Sequence, residues 1–239
     1  MCTLTYLPLN NEYIFTSNRD EHDSRSDTLF PVTKDINGMQ VFFPQDPKAG
    51  GSWIASSNTQ RTAILLNGAF EAHKHRPPYR KSRGIILLDS FNYSSLNDFS
   101  AQYDLLGIEP FTLVHFDSAN SNEIFELKWD GIKSVVTTFA GDQAHIWSST
   151  QLYSKEIRQQ RQDWFSDLLL QDLDAAKLAH FHEFGNKMEK ENNIVMDRGF
   201  GLRTISISQI VINKEKTKFN YRNLIKNTNE NHWVDHLPI

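Results

Sequence analysis

The chain of 239 residues contains one cysteine, and it stands at position 2. Removal of Met1, common where the next residue is small, would leave Cys2 carrying both a thiol and a free α-amine. An α-amine titrates near ~8 and a thiol near ~8.5, so both exchange protons close to neutral pH. The amine can then act as general base for its own side chain, the logic of an N-terminal nucleophile, and no separate histidine is needed. The plainer alternative is a small hydrophobe at a strand end. Placement of the sole cysteine at position 2 shifts the balance toward a working thiol.

The neighbouring sequence supplies partners for such a centre. Cys2 to Leu9 alternates as a strand, Asn10-Asn11 suits a two-residue turn, and Glu12 to Ser17 reads as the returning strand. In that hairpin, opposed residues have numbers that sum to 21. Leu9 then faces Glu12, Tyr6 faces Phe15, and Cys2 faces Arg19, with opposed Cβ atoms about 5 Å apart. A guanidinium there favours the thiolate and can hold a substrate carbonyl or carboxylate. Asn18-Arg19-Asp20-Glu21 groups four polar side chains just past this strand. Asp20 or Glu21 is placed to orient an N-terminal amine, and the alternative is a solvated loop.

The elements that must position these residues follow from pattern and punctuation. Asn18 to Asp35 reads as a loop. Met39 to Phe43, Trp53 to Ser56 and Arg61 to Leu66 read as strands of an antiparallel meander. Ser82 to Ser90 and Ser95 to Tyr103 read as short helices with serine caps. Strands are expected at Phe111 to Phe116, Glu123 to Trp129 and Ile132 to Phe139, with Asp130-Gly131 as a hairpin signal. Gln151 to Leu170 is expected as a helix with an apolar stripe of Ile157, Trp164, Phe165 and Leu168, and Asp172 to Phe184 as a second. Thr204 to Ile212 and Lys216 to Tyr221 close with a hairpin. Antiparallel strands at both ends with helices between them predict an α+β layering, and the absence of a linker predicts one domain over residues 1–239.

The totals exclude several classes. The 16 phenylalanines and 5 tryptophans argue against disorder, and the net charge of −4 with no long basic run argues against nucleic acid. No apolar run spans a bilayer, and Pro8, Asn10, Asn11 and Glu12 interrupt any signal-peptide core. One cysteine excludes a disulfide scaffold, so a reducing, cytoplasmic setting is expected. His73 and His75 flank Lys74 but read as exposed residues of a basic loop rather than metal ligands. His180 and His182 do not share a helix face, and Gly199-Phe200-Gly201 lacks the rest of a dinucleotide fingerprint. No metal or cofactor is expected.

Met1-Cys2-Thr3-Leu4, Asn18-Arg19-Asp20-Glu21 with Arg25 behind it, and Ala49-Gly50-Gly51-Ser52-Trp53 together resemble the NRDE family, also called the transport-and-Golgi-organisation family. Arg61 to Gly68, Ser82-Arg83-Gly84 and Arg203-Thr204-Ile205-Ser206 are similar to its later segments. The resemblance implies an N-terminal nucleophile hydrolase-like fold, a four-layer αββα sandwich of two antiparallel sheets covered by helices. It implies a relation to bile-salt hydrolases and penicillin V acylases, which carry Arg-Asn-x-Asp where Arg19 and Asp20 here are adjacent. It assigns Asn67 to the oxyanion hole, worth roughly 3 kcal/mol per donor, and Arg203 to a place beside the cysteine. Where those enzymes have a second asparagine, Trp147-Ser148-Ser149-Thr150 offers hydroxyls. The implied activity is hydrolysis of a linear amide or acyl substrate through a Cys2 thioester. The rival implication is a binding or trafficking module for haem or lipid-like ligands, with Cys2 as a ligand to iron. Acylation of Cys2 as a lipid anchor is a third, though one chain alone binds membranes marginally.

Overall fold

The computed structural model describes residues 3–9, 12–185 and 189–237. The N-terminal hairpin comprises β1 (Thr3–Leu9) and β2 (Glu12–His22). Its described pairs run from Leu9 opposite Glu12 through Tyr6 opposite Phe15 to Thr3 opposite Asn18, the register expected from the sequence. Asn10 and Asn11, the expected turn, lie outside the described residues, as does Cys2. Alternation sends Leu4, Tyr6 and Phe15 into the main core. Leu7 and Ile14 pack instead on the opposite face, beneath helices.

One sheet has the order β10-β1-β2-β11-β12-β13. Here β10 is His145–Ser148, β11 Leu202–Ile212, β12 Lys216–Asn223 and β13 Thr228–Asp235. The other sheet runs β3 to β9 in sequence order. Its strands are β3 (Leu29–Ile36), β4 (Met39–Gln45), β5 (Ile54–Ser57), β6 (Arg61–Asn67), β7 (Phe111–Asp117), β8 (Glu123–Trp129) and β9 (Ser134–Ala140). The sheets meet face to face through aromatic residues. The Phe116 ring lies 5.6 Å from Tyr6 and Phe15, and Phe42 lies 6.2 Å from Phe219. Every ladder is antiparallel.

Helices α1 (Arg83–Asp89) and α2 (Leu96–Gln102) cover the seven-stranded sheet, and α3 (Lys155–Leu168) and α4 (Ala175–Phe184) cover the six-stranded one. This is the four-layer αββα arrangement. Ser95 caps α2 by accepting the Asp98 amide, as expected. Ser82 precedes α1 but makes no capping bond through its side chain. The expected helix at Gln151 begins only at Lys155, where Ser154 accepts the Ile157 amide and sets the start. Phe165 of its stripe packs with Leu178 and Phe181 of α4 against Leu7 and Ile14.

Three strands depart from expectation. The segment Asn18 to Asp35 is not one loop: β2 continues to His22, a 3-10 turn spans Asp23–Arg25, and β3 begins at Leu29. Asn18, Arg19 and Asp20 are buried and partnered, so their polarity does not mark solvent, whereas Asp27, Thr33, Lys34 and Asp35 are exposed. Strand β10 is only four residues long, too short for a visible period. Strand β13 is an edge, mostly exposed, and carries no apolar alternation to reveal it.

Candidate active site

Period-two alternation divides the Asn18-Arg19-Asp20-Glu21 tetrad between the two faces of β2. Asn18 and Asp20 point into the helical layer. The Asn18 amide donates to the carbonyls of His182 (3.0 Å) and Ile194 (2.8 Å). Its Oδ1 must therefore accept from His182 Nδ1 at 2.6 Å, which leaves His182 Nε2 to accept the Thr5 hydroxyl at 2.7 Å. Burial, reinforced by Arg161, pushes the His182 imidazole down to about 3 and keeps it neutral. The Asp20 carboxylate accepts the Tyr153 hydroxyl at 2.7 Å and the Thr204 hydroxyl at 2.6 Å.

Arg19 and Glu21 face a cleft of about 190 Å³. Arg19 is only 3% exposed. Its Nη2 lies 2.6 Å from Asp46 Oδ2, and its Cζ sits 4.0 Å from the Trp53 ring centroid. Arg25 reaches the same Asp46 oxygen at 2.6 Å and Glu21 at 2.9 Å. The other Asp46 oxygen accepts the amides of Lys48 and Ala49. Burial alone would raise the Asp46 carboxyl. The Ala49 amide and the two guanidiniums outweigh it and hold the group below the usual carboxylate range. Burial pulls Arg19 below its ordinary value, opposed by Asp46 and Glu21.

The far wall is built by close backbone packing. A Cβ on Gly51 would lie 2.4 Å from the Gly84 carbonyl carbon, so Ala49-Gly50-Gly51-Ser52 and Ser82-Arg83-Gly84 stack back to back only with glycine there. The Ser52 amide donates to Gly84 O at 3.2 Å across this contact. Arg83, also lining the cleft, pairs with Glu109 at 3.1 Å. Glu109 Oε1 also meets His73 Nε2 at 3.1 Å and His75 Nδ1 at 3.0 Å. The two histidines are thus tied to a cleft carboxylate. Among the described residues no group of three His, Cys, Asp or Glu is placed to hold a metal.

Asn67 ends β6 and lines the same cleft as Arg19. Its carbonyl accepts the Ser149 hydroxyl at 2.7 Å. The following Gly68 has φ +83°, and a Cβ there would lie 2.3 Å from Thr150 Oγ1. The β6 end and the residues after β10 are therefore joined, and the Ser149 proton is already committed. Ser148 pairs with Thr3 and lines a separate cavity of about 130 Å³ with Trp147 and Glu126.

Of the sequence-predicted residues, the structure brings Arg19 and Asn67 to one cleft and sets Asp20 on the opposite face of β2. Arg203 lies opposite Glu21 in the ladder, but its guanidinium pairs with Asp197 at 2.7 Å and it does not line the cleft. Cys2 lies outside the described residues. Sequence reasoning missed Asp46, Glu109, Tyr153 and Arg161. Only Arg25 carried a signal, through its spacing after the tetrad. The cleft is lined by Arg19, Arg25 and Arg83, which pair with Asp46, Glu21 and Glu109, and by Asn67.

A family model described as Transport and Golgi organisation 2 matches residues 1–230. No curated protein matches the chain. Among solved structures, the chain is similar to a Caenorhabditis elegans N-acylethanolamine-hydrolyzing acid amidase ortholog, with TM-score 0.60 and 10% identity over 87% of this chain and 92% of that one. It is similar to penicillin V acylase from Agrobacterium tumefaciens, with TM-score 0.58 and 11% identity over 98% and 86%. It is also similar to a variant of conjugated bile acid hydrolase from Clostridium perfringens, with TM-score 0.58 and 13% identity over 100% and 99%. These likenesses show the N-terminal nucleophile hydrolase-like fold expected from the sequence. With the family model matching nearly the whole chain, this protein belongs to the Transport and Golgi organisation 2 family.

Proposed function

We propose that this protein is a cysteine N-terminal nucleophile hydrolase acting on a linear, non-peptide amide C–N bond. The observation that carries the reading is the β1–β2 register, which runs without a slip to Thr3 opposite Asn18. The sequence-based expectation that Cys2 faces Arg19 is consistent with this register, and Arg19 lines one cleft with Asn67. After loss of Met1, the Cys2 thiol attacks the amide carbon while the Cys2 α-amine takes the thiol proton. The proton passes to the nitrogen as the C–N bond breaks, the amine leaves and a thioester remains. Water then attacks the thioester, the acid departs and the thiol regains its proton.

Arg19 supplies fixed positive charge that favours thiolate and oxyanion, since Asp46 and Trp53 hold it in one place. The Asn67 side-chain amide donates to the oxyanion. Asp20 orients the α-amine, with two of its hydrogen bonds fixed by Tyr153 and Thr204. Arg203, on β11 and paired with Asp197, serves as a peripheral charge. Fold similarity to amidases and acylases supports an amide substrate.

The test is turnover of a panel of linear amides by native protein and by Cys2→Ala, with intact mass spectrometry to define the N-terminus. Release of amine by the native protein alone, with Met1 absent, is the expected result. A population that retains Met1, or a panel with no turnover and no acyl adduct on Cys2, overturns the reading.

A further inference from the structure

The cavity of about 130 Å³ lies between the sheets, where β10 forms an edge and α3 packs over it. Strand β8 supplies Glu126 and Lys128, two residues apart and so on one face. Glu126 is only 3% exposed, and its Oε1 lies 2.9 Å from Lys128 Nζ. Helix α3 supplies Arg158 and Gln162, four residues apart and so on one face of the helix. No carboxylate pairs with Arg158 among the described residues. Its Nε is buried without a partner. A buried donor without an acceptor is costly, so the position is set for a molecule that supplies one. The ionisable side chains of the lining are therefore the paired Glu126 and Lys128 and the unpaired Arg158, which leaves one positive charge to be met. Leu66, Ile146 and Trp147 make the apolar part of the wall. An apolar protein cavity of about 150 Å³ is large enough to hold benzene, so a single ring or a short aliphatic chain suits this one. An open groove of about 820 Å³ shares Thr150, Arg158 and Gln162 with the cavity, which gives a path in from solvent.

We propose that this cavity binds a small monocarboxylate with a compact apolar body, the carboxylate held by Arg158 and Gln162 and the body by Leu66, Ile146 and Trp147. A guanidinium presents N–H donors in a fork that matches the two oxygens of a carboxylate, and the Gln162 amide adds another donor. Glu126 sets the limit on charge. It occupies Lys128 and repels a second negative charge, so a dianion such as phosphate is disfavoured. The unpaired guanidinium disfavours a cationic ligand in turn. None of these groups lines the cleft of Arg19 and Asn67, so the site is independent of the hydrolase reading.

The experiment is isothermal titration calorimetry of the full-length protein at pH 7 with benzoate, with benzyl alcohol as its uncharged counterpart, and with inorganic phosphate. Native protein should bind benzoate at one site, benzyl alcohol at least roughly ten-fold more weakly, and phosphate not at all. Arg158→Met should weaken benzoate roughly ten-fold, the ordinary worth of one charge-assisted hydrogen bond. Gln162→Leu should weaken it less. Glu126→Gln should tighten benzoate and admit phosphate, a gain that a merely structural role for Glu126 would not produce. If Glu126→Gln does not fold, Arg158→Met decides alone, because Arg158 lies on the outer helix rather than in a strand. Native protein that gives no heat with benzoate overturns the inference, as does equal affinity for benzoate and benzyl alcohol. Native affinity in Arg158→Met also overturns it, and loss of binding in Arg25→Met would then place benzoate in the Arg19 cleft instead.

Discussion

Asp46 is the residue on which the cleft's charges converge. One of its oxygens receives both Arg19 and Arg25, and the other is fixed by two backbone amides. Asp46→Asn would leave two guanidiniums short of a counter-charge, one of them buried. Loss of about 3 kcal/mol in urea unfolding is expected, because removing one partner strands the other. The folded carboxyl sits below its ordinary value, so its contribution is present above an unfolded value near ~3.9 and is lost as the pH falls through the folded one. The acid limb of stability against pH should therefore flatten in Asp46→Asn. His182 acts at higher pH. Its folded value of about 3 lies below an unfolded value near ~6.5, so it costs nothing above ~6.5. As the pH falls from ~6.5 toward 3, the unfolded chain binds the proton first and stability declines. His115, buried and pushed to about 3, contributes in the same window. His182→Gln should show a shallower decline between pH 6 and 4, read from unfolding midpoints; an unchanged slope would remove His182 from the account.

At the scale of elements, the cleft depends on how closely turns approach one another. Gly51→Ala would drive a Cβ into the backbone of Gly84, which cannot give as a side chain can. A cost of about 1–3 kcal/mol is expected, with a shift of the Trp53 wall that would appear in fluorescence. Ser149→Ala tests the join between β6 and the end of β10. It removes one hydrogen bond to Asn67 O, about 1 kcal/mol of stability. If Asn67 acts as proposed, amide turnover should fall further than stability does, because misplacement of an oxyanion donor affects kcat rather than folding. Equal small effects on both would leave Asn67 a turn residue. Asn18 joins β2 to α4 and to the segment at Ile194, so Asn18→Ala strands three buried polar groups and should destabilise by several times as much.

For the whole molecule, two sheets of opposed inner faces make one aromatic-rich core, and helices close both outer faces. No helix among the described residues is long and apolar enough to cross a membrane. Strand β13 shields the edge of β12, where Phe219 and Tyr221 are buried, and the Leu237 amide donates to Asn58 O of the opposite sheet. Truncation after Asn227 would bare the β12 edge. Concentration-dependent scattering and a lower melting temperature are expected, since an unpaired edge recruits other chains. A monomeric, equally stable truncation would show that β13 is dispensable.

The N-terminal register was legible from residues alone, because a two-residue turn and a period of two leave little freedom in how β1 meets β2. Strands β7 to β9, the Ser95 cap and the stripe of α3 were legible for the same local reason. Family membership followed from short motifs that local geometry demands, such as the Gly51 turn. Burial of the tetrad was not legible, since polar side chains do not announce what will cover them. Nor were the partners: Asp46 lies 27 residues from Arg19, Ser149 lies 82 from Asn67, and Arg161 lies 158 from Thr3. Local pattern decides which face a side chain takes and which residue it opposes. Which charge or hydroxyl waits on that face is decided only when the layers pack, and there the tertiary structure alone determined the site.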